Sequence, residues 1–262
     1  MAYQKVKCPY CGSEDVVYNG KNSTGRQRCL CRNSACPHKT FQLEYKNNAS
    51  RPGVKEKIVD MAMNGSGTRD TGRVLKISPN TVTAVLKKTE KFPRPINEKY
   101  LKAIDCSKPV NIVVCNALAD EMATIPVEMD EMWSFCHDKS HQVWLWWAVE
   151  HETNTPLAYV FGTREHKYLD ELLALLKPFP VGTVYADANY AYSDKIAEEN
   201  LIVGKKNTQN IERDHLTLRT RIKRLCRKSI CFSKKLSIHK AVIGTFINTH
   251  FFGRKFEVST IL

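Results

Sequence analysis

Five cysteines fall within the first 36 residues, and no other feature narrows the possible folds of this chain so far. Cys8-Pro-Tyr-Cys11 is a C-x-x-C knuckle, and Cys29, Cys31 and Cys36 follow after a basic loop. A stretch so rich in Gly, Asn and basic residues has too little apolar surface for a core of its own. Metal binding therefore has to supply its folding free energy. Two knuckles brought together by a hairpin offer zinc four soft thiolates in a tetrahedron. Five cysteines and His38 compete for four places. Cys8, Cys11, Cys31 and Cys36 are favoured, because Cys29 stands in the strand-like run RQRCLC, where an apolar side chain would serve equally well. Residues 1–46 thus read as a zinc-binding ribbon with one structural Zn²⁺. Redox use of the knuckle is the poorer reading, since no βαβ pattern surrounds it.

The rest of the composition is that of an ordinary globular chain, 42% hydrophobic and 26% charged over 262 residues. No run approaches the roughly 18–20 consecutive apolar residues that a membrane span needs. MAYQKVKCPYCG lacks the apolar stretch of a secretory signal, and ten cysteines used as metal ligands and buried thiols suit a reducing cytoplasm. The net charge of +13 is unevenly spread. Residues 1–100 hold 19 basic and 8 acidic side chains, residues 101–200 hold 7 and 16, and residues 201–262 hold 14 and 3. Two basic ends around an acidic middle predict a polyanion partner and a separate site for cations.

Residues 53–92 read as a helix-turn-helix domain. GVKEKIVDMAMN places Val54, Ile58 and Met61 at helical spacing, TRDTGRVLK starts at Thr68 as an N-cap, and Ser78 or Asn80 caps the helix of ISPNTVTAVLKKTEK. That last helix offers Asn80, Thr81, Thr83 and Lys87 to a major groove while Val82, Val85 and Leu86 pack inward, and Lys87, Lys88 and Lys91 meet phosphates. The alternative is a small helical bundle with a solvated basic face. KFPRPINEKY begins at Lys91, and residues 93–120 read as a linker that runs into VNIVVCNALAD, whose type periodicity does not decide.

From 121 to 262 the patterns run strand, strand, strand, helix, strand, helix, strand, helix. VEMDEMWSF, VWLWWAVEH and PLAYVFG are β-branched and aromatic. EHKYLDELLALLK carries Leu169, Leu172, Leu173 and Leu176. TVYADA, SDKIAEEN and LIVGKK precede a basic helix striped by Ile211, Leu218, Ile222 and Leu225. This is an α/β pattern, a mixed sheet covered by helices, and its order matches the ribonuclease-H-like fold. Trp144, Trp146 and Trp147 read as sheet packing rather than base-stacking wedges.

Phosphoryl transfer on DNA calls for two divalent cations about 3.5–4 Å apart, and Mg²⁺ takes oxygen ligands. Asp130 lies in the first strand and Asp187 ends the fourth, so in a ribonuclease-H-like sheet the two carboxylates meet. Glu212 sits early in the basic helix, with 24 residues between it and Asp187, and Arg219 follows two turns on along the same face. Acidic residues at strand ends are usually just solvated, Glu128 or Glu131 could replace Asp130, and Glu212 could pair with Arg213 or Lys205. His215 reads first as a polar surface histidine, and second as a group orienting a water or phosphate.

VEMDEMWSF, VYADANY and NIERDHLTLRTRIKRLCRKSICFSKK resemble the catalytic motifs of bacterial DDE transposases, and the chain from end to end resembles the insertion sequence 1 transposase family. The resemblance implies a ribonuclease-H-like DDE domain with Asp130, Asp187 and Glu212 as the triad, two Mg²⁺ ions, and Arg219 as the following basic position. It also implies that the first half binds the terminal inverted repeats of an insertion element, and that the enzyme cleaves the ends and joins their 3′-hydroxyls to target DNA. Lys223, Arg224, Arg227 and Lys228, read as continuing the helix of Glu212, would lie along the double-stranded DNA. Pairing two ends implies a homo-oligomer, in the cytoplasm and nucleoid-associated, with no membrane partner. The other reading kept open is a non-catalytic DNA-binding regulator with a degenerate nuclease fold.

Overall fold

A computed structural model describes residues 5–104, 124–188, 190–254 and 256. Three short antiparallel strands, β1 (Val16–Lys21), β2 (Gln27–Cys31) and β3 (Thr40–Gln42), form the N-terminal ribbon in the order β1-β2-β3. Its core is small: Cys8, Cys29, Cys31, Cys36 and Phe41, with Val6, Tyr10 and Val16 packed beside them.

Three helices follow, α1 (Val54–Met63), α2 (Thr68–Leu75) and α3 (Pro79–Lys88). Gly67, not Thr68, is the N-cap of α2 and makes no side-chain cap bond, so Thr68 opens the helix proper. Ser78 caps α3, its hydroxyl accepting the Asn80 N–H at 3.2 Å. The turn between them is tight. A Cβ on Gly72 would stand 2.8 Å from the Ile77 carbonyl oxygen, so only glycine admits this approach.

The start of the expected linker is not free chain. The Asn97 N–H donates to Leu157 O and the Tyr159 N–H to Pro95 O, so residues 95–97 extend the sheet edge before helix α4 (Glu98–Ile104). Backbone donors beside an open strand edge find partners there, which composition does not reveal. VNIVVCNALAD lies outside the described residues.

The main sheet contains β4 (Ile125–Cys136), β5 (Asp138–Glu150), β6 (Thr155–Gly162), β7 (Val181–Ala186) and β8 (Leu201–Val203) in the order β6-β5-β4-β7-β8. The first three strands pair antiparallel through short turns. β7 and β8 run parallel to β4, and each is reached by a crossover: α5 (His166–Leu176) and then α6 (Tyr190–Lys195). This is the ribonuclease-H-like arrangement. Helices α7 (Gln209–Arg221) and α8 (Leu236–His250) complete the domain.

Strand alternation divides the core in two. Val127, Met129, Trp146 and Ala148 face Leu169, Leu172 and Leu176 of α5. Met132, Leu145, Trp147 and Val149 point the other way, toward Ile211 and Leu218 of α7, Val242 and Phe246 of α8, and Ile58, Val82 and Leu86 of the helix-turn-helix. The α8 helix is buried almost all round from Ala241 to Asn248, as a helix between two layers must be. Trp146 and Trp147 are fully buried, in keeping with a packing role. Among the described residues no helix is long and apolar enough to cross a membrane.

Candidate active site

The register of the two central strands places the first two acidic residues. Met129 of β4 pairs with Ala186 of β7, so Asp130 and Asp187 follow side by side where β7 ends. One carboxylate oxygen each from Asp130, Glu131 and Asp187 lies within 4.8 Å of the other two. Asp130 Oδ1 accepts the Glu131 N–H at 2.8 Å, and Oδ2 stands 3.4 Å from Nδ1 of His215. Glu131 therefore joins Asp130 rather than replacing it. Its side chain is held by Tyr192 Oη at 3.0 Å and by Arg164 Nε at 3.1 Å. Burial, and then the charges of Asp187 and Asp130, push its carboxyl pKa up. Three oxygen donors that repel one another are a set for a hard divalent cation, and Mg²⁺ fits it.

Glu212 is not part of this cluster. It lies exposed on the first turn of α7. Three residues on, His215 is buried against Asp130, contrary to the reading of a surface histidine, and its Nε2 has no hydrogen-bond partner among the described residues. Arg219 is half-buried one turn further. Burial and the charge of Arg227 lower its pKa, against the pull of Asp130. Glu212, His215 and Arg219 thus share one side of α7, the side that overlooks Asp130.

What holds α7 there is not legible in the local sequence. Glu128, on the same strand face as Asp130, is fully buried; its Oε2 accepts the Ile211 N–H at 3.0 Å and its Oε1 lies 2.6 Å from His151 Nδ1. Asn210 donates to His151 O at 2.8 Å, and Trp147 Nε1 donates to Asp214 at 3.3 Å. Burial raises the Asp214 pKa to about 6. The one available signal was alternation, which puts residue 128 on the face of residue 130.

The basic residues after Arg219 divide. Lys223, Arg224, Arg227 and Lys228 do not continue the helix of Glu212: the backbone turns extended at Ile222, and Lys223–Leu225 forms a separate 3-10 turn. Lys223, Arg227 and Lys228 are exposed. Arg224 turns inward, donating to Ala62 O and to Ser233 Oγ at 2.9 Å each, and burial lowers its pKa to about 10. It ties the helix-turn-helix to the sheet domain and is not free for DNA. The apolar stripe persists, with Ile222 and Leu225 buried, but packing rather than helix continuity provides it.

In the ribbon, the thiols of Cys8, Cys11, Cys31 and Cys36 lie within 4.8 Å of one another. Cys8 and Cys36 are 3.7 Å apart, and Cys11 and Cys31 are 3.6 Å apart. Burial raises the Cys31 thiol pKa to about 12 and raises that of Cys36, while the Ser13 backbone bond lowers that of Cys11 to about 7. Four thiols so close fit a tetrahedral Zn²⁺. Cys29 is buried in the ribbon core outside the set, and His38 packs against Tyr10 with ring centroids 4.1 Å apart and the planes tilted by 36°. On α3, Asn80, Lys87 and Lys88 are exposed, Thr81 and Thr83 half-buried, and Val82, Val85 and Leu86 buried. Lys91, in the turn after α3, is exposed as well.

A zinc ribbon and a helix-turn-helix ahead of a ribonuclease-H-like domain define a DNA-binding transposase of the DDE class. The chain belongs to the IS1 transposase family, whose model matches residues 123–253. The InsA C-terminal and N-terminal domain models match residues 45–90 and 1–36. The chain is 50% identical over 125 residues to insertion element iso-IS1n protein InsB of Shigella dysenteriae, covering 48% of this chain and 95% of that protein. It is 40% identical over 121 residues to insertion element IS1 protein InsB of Shigella sonnei, covering 46% and 92%. Among solved structures, the catalytic core domain of BIV integrase aligns with 51% of this chain and 88% of its own, at 15% identity and a TM-score of 0.34.

Proposed function

We propose that this transposase cleaves DNA at the ends of an insertion element and joins the freed 3′-hydroxyls to target DNA. The observation that carries the proposal is the meeting of Asp130 and Asp187 at the end of β7, with His215 and Arg219 beside them. Asp130 and Asp187 are the residues we assign to hold two Mg²⁺ ions, with Glu212, outside their cluster on the first turn of α7, as the third carboxylate that the family resemblance implies. Such ions lower the pKa of a bound water and neutralise charge on the transferring phosphate.

The chain supplies the positioning. Glu131, fixed by Arg164 and Tyr192, brings a third carboxyl to within 4.8 Å of Asp130 and Asp187. Glu128 anchors α7 to β4 and sets the height of Glu212, His215 and Arg219 above the sheet. Arg219 meets the scissile phosphate as a donor fork. In the first step a water oxygen bonds to phosphorus and the 3′-oxygen leaves, taking a proton. In the second, that 3′-oxygen attacks a target phosphodiester, which releases its own bridging oxygen, so bond count is conserved and no covalent enzyme intermediate arises. Asn80, Thr81, Thr83, Lys87, Lys88 and Lys91 read and hold the element ends, while Lys223, Arg227 and Lys228 contact backbone phosphates. Two chains pair two ends. The thiols of Cys8, Cys11, Cys31 and Cys36 hold one structural Zn²⁺.

An end-cleavage and strand-transfer assay with Mg²⁺ tests this reading. Asp130→Asn, Asp187→Asn and Glu212→Gln should each lose both reactions while still shifting an end-containing DNA fragment. Wild-type rates in all three would remove the catalytic assignment and leave a DNA-binding regulator.

A further inference from the structure

The hairpin joining β4 to β5 carries a further set of ligand-type side chains, separate from both clusters above. Asp138 Oδ2 lies 2.9 Å from Nδ1 of His137 and 3.0 Å from Nδ1 of His141. One donor atom from each of the three residues falls within 4.8 Å of the other two. In a tetrahedral zinc site with bonds of about 2.0–2.1 Å, neighbouring donors stand about 3.3 Å apart by geometry. Two of the three separations, 2.9 and 3.0 Å, are close to that spacing, and the third lies within 4.8 Å.

The turn aims them. Asp138 Oδ1 is taken by the Ser140 N–H at 2.9 Å and by the Ser140 hydroxyl, which leaves Oδ2 turned to the imidazoles. His137 adopts a left-handed φ of 73°, and its N–H donates to Ser233 O at 2.6 Å. The side chains of His137, Asp138 and His141 are 70%, 47% and 67% exposed, so an ion enters without any unfolding.

We infer that His137, Asp138 and His141 bind one divalent transition-metal ion, with Zn²⁺ the fitting case and its fourth position open to solvent. Two imidazoles and one carboxylate make a borderline donor set that suits zinc, whereas Mg²⁺ prefers oxygen alone. The site is therefore chemically distinct from the carboxylate cluster. Its ion clamps the hairpin tip, which the Cys136–Ser233 bridge joins to the basic segment after α7.

The test uses the full chain, loaded with Zn²⁺ in excess Mg²⁺ so that the hard cation fills the carboxylates, and counts zinc after gel filtration. The wild type should retain two equivalents. The double variant His137→Asn/His141→Gln should retain one, asparagine being tolerated at positive φ. Co²⁺ substitution distinguishes the two sites. The double variant should keep the intense thiolate charge-transfer bands, which report an intact ribbon, and lose the weaker ligand-field bands of the hairpin site. Equal zinc in the two proteins, or Co²⁺ spectra that do not differ, would overturn the inference.

Discussion

The thiol cluster and the carboxylate cluster of this chain differ in what stands behind them. In the ribbon the ligands are the core: Cys8, Cys31 and Cys36 make up most of its buried apolar set, flanked by three short strands. In the sheet domain Asp130, Glu131 and Asp187 rest on a finished structure, with packed layers on both faces of β4. A metal would fold the first site. In the second it would neutralise charge on a scaffold that already stands.

The largest expected effect breaks the two apart by chelation. Structural zinc contributes about 10–16 kcal/mol of apparent binding free energy in small zinc domains. Cys31→Ser or a strong chelator should therefore unfold the ribbon and abolish end binding while the main thermal transition of the sheet domain stays in place. Asp187→Asn should do the reverse, losing activity with an unchanged melting profile, and calorimetry with a gel-shift assay checks both.

A finer probe asks whether the carboxylate cluster depends on its supports. Glu131→Gln keeps an acceptor for Tyr192 but removes a charge beside Asp130 and Asp187. Loss of a partner that orients metal ligands typically costs 10- to 100-fold in activity or metal affinity, so strand cleavage should fall by roughly that factor and need more Mg²⁺. An unchanged Mg²⁺ titration would place Glu131 outside the site.

The smallest effect lies in the scaffold and follows pH. Burial raises the Asp214 pKa from 3.8 to about 6. A raised folded-state pKa means that the native state binds the proton more tightly. The carboxyl's stabilising contribution is full below pH 4 and is lost as pH rises through 6. Asp214→Asn can still accept from Trp147, so it should stabilise the domain by roughly 2 kcal/mol at pH 7–8. The gain should vanish near pH 4. Denaturant melts across that range measure it, and a gain independent of pH would sink the account.

Much of this was legible in the chain. The strand and helix order and the four thiols follow from period and spacing, and the meeting of Asp130 with Asp187 from matching that order to a ribonuclease-H-like sheet. What was not legible depended on burial across long separations. Arg224 reads as one more cation in a basic run, yet it reaches Ala62 O, 162 residues away. His215 reads as surface and is buried against Asp130. Glu128 reads as a spare carboxylate and is the peg that seats α7.

Sequence alone determined the kinds of chemistry present, because ligand softness, charge and side-chain period belong to residue type and local spacing. Tertiary structure alone decided which charges became interior fasteners and which stayed free for DNA. It also decided that Glu212 stands apart on α7 while Glu131 joins the aspartates. The reason is that desolvation depends on neighbours supplied by distant segments, and a residue's identity carries no record of which neighbours folding will bring.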